Sequence, residues 1–379
     1  MSAAGKRIEE MSRLGQLLAF LDHDPDNLPL LADAAGAAVD EADPASALAL
    51  IDRYAAHAPL PPALLNLKGV AAMGEGRFAD AAAAFAALRE AGEDAPALRF
   101  NHAWALAMAK DHEAALALLD DEAIAAGPRG AALKVQLLHH LERLDEALEC
   151  GARWAEACPG DRGLMGALAS AALDAEQPDL ARHYAERAGT HHDGLATMGL
   201  LLLDDSRVDE SAALFERILA ADAGNPRALL GDGLARLARG DTEGAAGRLD
   251  AAAARFEDHL GSWVAAGWAH YLQGDLATSR ERFETALALD DTFAETHGGL
   301  AVLDLAADDR EGAKRRADIA LRLDRNCFGA ALARSLLLEG EGKAKAAQKV
   351  REAALNFPIG AAGRTIARSL AARKGDSPR

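Results

Sequence analysis

SWVAAGWAHYLQGDLATSRERFETALALDD, residues 262–291, carries two amphipathic helical patterns back to back. Trp263, Val264, Gly267, Trp268 and Tyr271 recur at helical spacing in the first, and Phe283, Ala286, Leu287 and Leu289 in the second. Gly274-Asp275 separates them. Glycine takes the left-handed backbone that ends a helix, and an aspartate at the next position caps the free amides that open another. The stretch is therefore a helical hairpin. Small Gly267 lies where the partner helix must come close, and bulky Phe283 fills the space beside it.

Outward from this hairpin the same landmarks recur along the chain. Hairpin starts fall at Leu28, Pro62, Pro96, Pro128, Arg162, His192, Pro226, Leu260, Ala294 and Phe328, mostly 34 residues apart. Glycines recur in first helices at Gly69, Gly199, Gly233 and Gly267, and near turns at Gly76, Gly240, Gly274 and Gly342. Alanines recur early in second helices, among them Ala47, Ala81, Ala115, Ala245 and Ala313. Proline at several starts suits a first helical turn, where its missing amide costs no hydrogen bond. This W…G…Y…G…F…AL arrangement resembles the tetratricopeptide repeat, over about Leu28 to Ala361. The resemblance implies an all-α, right-handed α-solenoid of about ten hairpins with a capping helix at each end, each repeat contacting its neighbours.

The expected organisation is an N-terminal capping helix in residues 1–27, repeats in 28–191 and 192–361, and a basic capping helix and tail in 362–379. Ile8, Met11, Leu14, Leu17, Leu18 and Leu21 give the first of these an apolar face. The internal boundary is placed where the spacing into His192 shortens, at Gly189–Gly194, with a bend expected there.

Composition bounds the function classes. The 379 residues are 50% apolar but only 4% aromatic, which suits alanine-rich helices packed close together. The net charge is −18, yet Gly340 to Arg379 holds nine Lys/Arg against three acids, leaving −24 on the rest. Such an acidic surface opposes nonspecific binding to nucleic acid or anionic lipid. No apolar run is long enough to span a bilayer, so no membrane insertion is expected. Three cysteines, Cys150, Cys158 and Cys327, lack CxxC spacing and cannot all pair, which favours a reducing compartment, and a cytoplasmic location is expected.

Catalytic signatures are absent: there is no GxxxxGK, GxSxG or HExxH. Asp22, Asp24, Asp26 and Asp33 have a calcium-loop spacing, but no glycine stands at the bend and an ordinary turn is preferred. His139-His140 and His191-His192-Asp193 are read as surface residues at helix ends, because adjacent residues on a helix face different ways. No enzyme, cofactor or metal is expected.

The resemblance implies a groove lined by first helices. It assigns to that groove Val70 and Met73; Phe100, Trp104 and Met108; Gln136, His139 and His140; Val264, Trp268 and Tyr271; and Val302 and Leu305. Leu230, Leu234 and Leu237 occupy comparable positions and are read as packing residues. The expected function is a non-catalytic scaffold, adaptor or chaperone-like protein in a bacterial cytoplasm, holding an apolar or amphipathic helix or peptide of a partner protein. Self-assembly is the alternative, with the leucine-striped N-terminal helix as the inserted segment. An essential subunit of an enzyme complex is a third class.

Overall fold

The computed structural model describes residues 12–127, 129–355, 358–359 and 364–365. Its contacts divide the chain into two compact units, Met1–Pro159 and Gly160–Arg379.

In the first unit, α1 (Arg13–Leu21) precedes the hairpins α2 (Leu28–Asp40) with α3 (Pro44–Ala55) and α4 (Pro62–Gly74) with α5 (Phe78–Glu90). Then come α6 (Pro96–Met108), α7 (His112–Ala117), α8 (Asp121–Ala126), α9 (Gly130–His140) and α10 (Leu144–Ala157). Residues 1–11 of the expected N-terminal cap lie outside the described residues. The third hairpin departs from the pattern, because its second helix is split into α7 and α8. Asp120 caps the new start by accepting from the Ala123 amide at 2.8 Å. Lys134 donates to the carbonyl of buried Leu119 at 2.9 Å, satisfying an acceptor the break leaves without its helical partner. The following helix begins at Gly130, not at the expected Pro128.

The second unit repeats the hairpin more regularly. It runs α11 (Arg162–Asp174) with α12 (Pro178–Ala188), α13 (His192–Asp204) with α14 (Val208–Ala221), and α15 (Pro226–Arg239) with α16 (Thr242–Phe256). It continues with α17 (Leu260–Gln273) and α18 (Leu276–Leu289), α19 (Ala294–Ala306) and α20 (Arg310–Leu323), and α21 (Phe328–Gly340) and α22 (Ala344–Leu355). Arg364–Thr365, expected in a terminal helix, instead forms a strand β2 antiparallel to β1 (Pro358–Ile359). The internal division also falls at Pro159, one hairpin ahead of the expected His192. At Gly194 the chain packs closely on Ala188, so the short α12 turn is a tight junction inside the second unit.

Local chemistry sets these elements. Gly274 is left-handed, with φ 84° and ψ 5°, and Asp275 accepts from the Thr278 amide at 3.1 Å. Asp43, Asp111, Asp161, Asp241 and Asp309 cap other helices in the same way.

Packing then joins one hairpin to the next. The Phe215 ring, from α14, lies against Gly199 of its own hairpin and Gly231 of the following one. Phe283, from α18, does the same with Gly267 and Gly299. A Cβ at Gly199 or Gly267 would come within 2.6 or 2.9 Å of the ring, so these glycines are needed for the close approach. Both rings are fully buried. The expected small alanine early in the second helix becomes serine in these two hairpins, and each hydroxyl is satisfied: Ser211 donates to the Gly199 carbonyl at 2.7 Å and Ser279 to that of Gly267 at 2.8 Å. The intervening hairpins use buried carboxylates. Asp232 is bracketed by Arg236 and Arg248, both at 3.0 Å, and Asp304 by Arg280 at 2.9 Å and Arg316 at 3.0 Å.

Candidate functional site

The first helices of successive hairpins touch one another within each unit: α2 with α4 in the first, and α11, α13, α15, α17, α19 and α21 in order in the second. They make a layer in which the residue eight positions after a hairpin start, and those three or four further on, recur on one face.

In the first unit this face carries Val70 and Met73 on α4, Trp104 and Met108 on α6, and Gln136 and His139 on α9. Val70 and Met73 are half-buried against the core. Trp104 is half-buried and Met108 is 43% exposed. Gln136 and His139 are half-buried, and the exposed His140 ring stacks on His112 at 4.8 Å. Phe100 is corrected: it is buried, its ring occupying the space beside Gly127, and it belongs to the core that positions Trp104.

The second unit corrects two more assignments. Val264 and Val302 are 7% and 1% exposed, because the next hairpin closes over that side of α17 and α19. Leu230, Leu234 and Leu237 pack against a core cluster, as expected of packing residues. Trp268 stands edge-on to Tyr271 at 5.6 Å, Phe283 at 5.4 Å and Phe328 at 6.4 Å. Its indole N–H donates to Glu295 at 3.2 Å. What stays open is a pocket of about 290 Å³ with Tyr271, Val302, Leu305, Ala306, Leu336 and Leu337 on its wall and Asp308 and Arg310 at its edge. Tyr271, Val302 and Leu305 are among the residues the resemblance assigns to the groove; Leu336, 36% exposed at the same position of the final first helix, is not.

Glu295 was also missed. Its carboxylate accepts from Trp268 on α17, from the Gly329 amide at 3.1 and 3.2 Å, and from the Cys327 thiol at 3.1 Å, so one side chain ties α17, α19 and the start of α21 together. Burial pushes its pKa above the usual carboxylate value, outweighing these hydrogen bonds. Burial and the Glu295 charge push the Cys327 thiol up as well, so it serves as a helix cap rather than a nucleophile. The only signal in the sequence is an acid at the second residue of a first helix, which reads as an ordinary N-terminal charge.

Among the described residues, one group of three could hold a metal ion: His191, His192 and Asp193. The His192 Nδ1 lies 3.1 Å and the His191 Nδ1 3.8 Å from the Asp193 carboxylate.

A family profile described as tetratricopeptide repeat matches residues 32–96, 67–131, 196–247 and 230–292. No curated protein matches the sequence. Among solved structures, the fold is similar to a monomeric IFIT1 mutant solved with m7Gppp-AAAA, at 13% identity over 86% of this chain and 90% of that one, with TM-score 0.55. It is also similar to a chain of the APC/C hetero-tetramer Cut9–Hcn1, at 12% identity over 93% and 84%, with TM-score 0.50. A tetratricopeptide repeat protein from Parabacteroides merdae matches at 15% identity over 65% of this chain and all of that one, with TM-score 0.44. The first two of these likenesses show the fold.

Proposed function

The chain belongs to the tetratricopeptide repeat family, and from that premise we propose that it is a chaperone-like adaptor whose first-helix faces hold an apolar or amphipathic segment of another protein. Repeats of this family commonly mediate protein–protein interaction as scaffolds. The observation that carries the finer reading is the open pocket with Tyr271, Leu305 and Leu336 on its wall over buried Val302, and with one acid and one base, Asp308 and Arg310, at its edge. A helix inserting an aliphatic or aromatic side chain there would bury apolar surface at about 25 cal/mol per Å² and set a polar flank against Asp308 and Arg310. In the first unit Trp104 and Met108 supply a second, separate apolar face. Free cysteines suit a reducing bacterial cytoplasm, the location included in this reading.

The test is selection from a random peptide display library on the full chain, followed by titration of the enriched peptides against Leu336→Asp and Met108→Asp. Both side chains are exposed enough for the fold to tolerate the change. Enriched peptides should carry apolar residues at helical spacing and lose at least about tenfold in affinity, or 1.4 kcal/mol, on one variant. Peptides indifferent to both substitutions would refute the assignment. Light scattering across a concentration series checks self-assembly, in which a second copy supplies the segment.

A further inference from the structure

Adjacent helical residues diverge by about 100°, which argues against His191 and His192 sharing a ligand. The structure removes that objection. His191 is the residue before α13, extended at φ −64° and ψ 135°, so its ring turns back over the first turn while His192 and Asp193 stand inside the helix. The two rings come to 4.3 Å between centroids, and one ligand atom from each histidine and from Asp193 lies within 4.8 Å of the others. Tetrahedral zinc with bonds of about 2.0–2.1 Å needs its ligand atoms about 3.3 Å apart. One Asp193 oxygen lies 3.1 Å from His192 Nδ1 and the other 3.8 Å from His191 Nδ1, both near that value. Gly166 of α11 makes the arrangement sterically accessible: a Cβ there would come to 2.7 Å from His191 Nδ1 and 3.0 Å from Asp193 Cβ.

We propose that His191, His192 and Asp193 form a three-ligand site for a divalent ion of the zinc or nickel class, with water in the open coordination position. Two imidazoles and one carboxylate are the donors such borderline ions prefer over calcium or magnesium. Asp193 is buried, and its carboxylate lies 3.1 Å from His192 Nδ1. Histidine binds a metal as the neutral imidazole, so protons compete with the metal. The surrounding charges fix the strength. The positive end of α13 and Arg227 oppose a cation, and Asp222 favours it. Arg162 is turned to Thr190 at 3.5 Å.

The experiment is calorimetric titration of the tag-free, chelator-stripped full chain with zinc chloride and nickel chloride at pH 7.5. One equivalent should bind in the micromolar range. His192→Ala, at an exposed position, should weaken binding at least tenfold without changing the melting temperature of the metal-free protein. Arg227→Gln should tighten binding severalfold, and lowering the pH to 5.5 should weaken the parent at least tenfold. Cobalt should give weak d–d bands without thiolate charge-transfer absorption, and Cys150→Ser with Cys158→Ser should leave affinity unchanged. Absence of binding at 100 μM metal, unchanged affinity in His192→Ala, or loss of binding in the cysteine variant would each overturn the assignment.

Discussion

At the scale of the residue, the turns hold one backbone conformation with unequal side chains. Gly76, Gly240, Gly274 and Gly342 have positive φ, and so do Ala42, Lys110, Glu142, Glu176, Ser206 and Asp308 at the corresponding turns. A Cβ at Gly274 would meet nothing within 4 Å, so Gly274→Ala tests the backbone alone and should cost about 1 kcal/mol in a denaturant melt. Glu176, at φ 55° and exposed, is the converse: Glu176→Gly should raise stability by about 0.5 kcal/mol. Equal effects of either sign would mean the turn conformation is not shared. Glu295 gives a pH signature. Its folded pKa is raised, so its contribution to stability is fully present below the unfolded value and is lost as pH rises through the folded one. Glu295→Gln keeps an acceptor without the charge. The melting temperature of this variant relative to the parent should therefore climb between pH 4 and pH 8, whereas a constant difference would show that burial of the charge is not felt.

Elements differ in how far they can be read from sequence. Helix starts are local events, written in an Asp, Asn or His cap or a first-turn proline, and the chain obeys them at Leu28, Pro62, Arg162, Pro226 and Leu260. The break between α7 and α8 escaped because Asp120 looks like any mid-helix acid until its cap and the Lys134 contact are seen. Faces are harder than starts. Whether Phe100, Val264 or Val302 meets water depends on how the next hairpin leans over, and helical spacing carries no information on that. The two tryptophans show the difference. Trp268 sits among Tyr271, Phe283 and Phe328, so Trp268→Ala should lose about 3–5 kcal/mol of stability. Among the described residues Trp104 has one ring neighbour, Phe100 at 6.1 Å, and Trp104→Ala should cost less than half as much while weakening any peptide bound to the first unit. Comparable melting shifts for the two would return Trp104 to the core.

For the whole molecule, the chain of Cys158, Pro159 and Gly160 between the two compact units is exposed. A protease site inserted after Pro159 should yield, on cleavage, two fragments that each melt cooperatively in calorimetry; a fragment without a transition would mean that its fold depends on the other. Within the second unit, the wedge that Phe215 shares between Gly199 and Gly231 recurs, 68 residues on, as Phe283 between Gly267 and Gly299. The hydroxyls of Ser211 and Ser279 and the paired arginines Arg248 and Arg316 keep the same interval. This has a consequence for deletion and recombination. Excising residues 226–259, a single hairpin, would slide Ala265 into the place of Gly231 and drive its Cβ into the Phe215 ring. Excising residues 226–293 would deliver Gly299 to that place, and the splice should refold with a single helical melt where the shorter deletion aggregates. The piece of this chain that can be lost, copied or transplanted is then two hairpins long, and a gene slipping by one would be selected against by a single methyl group.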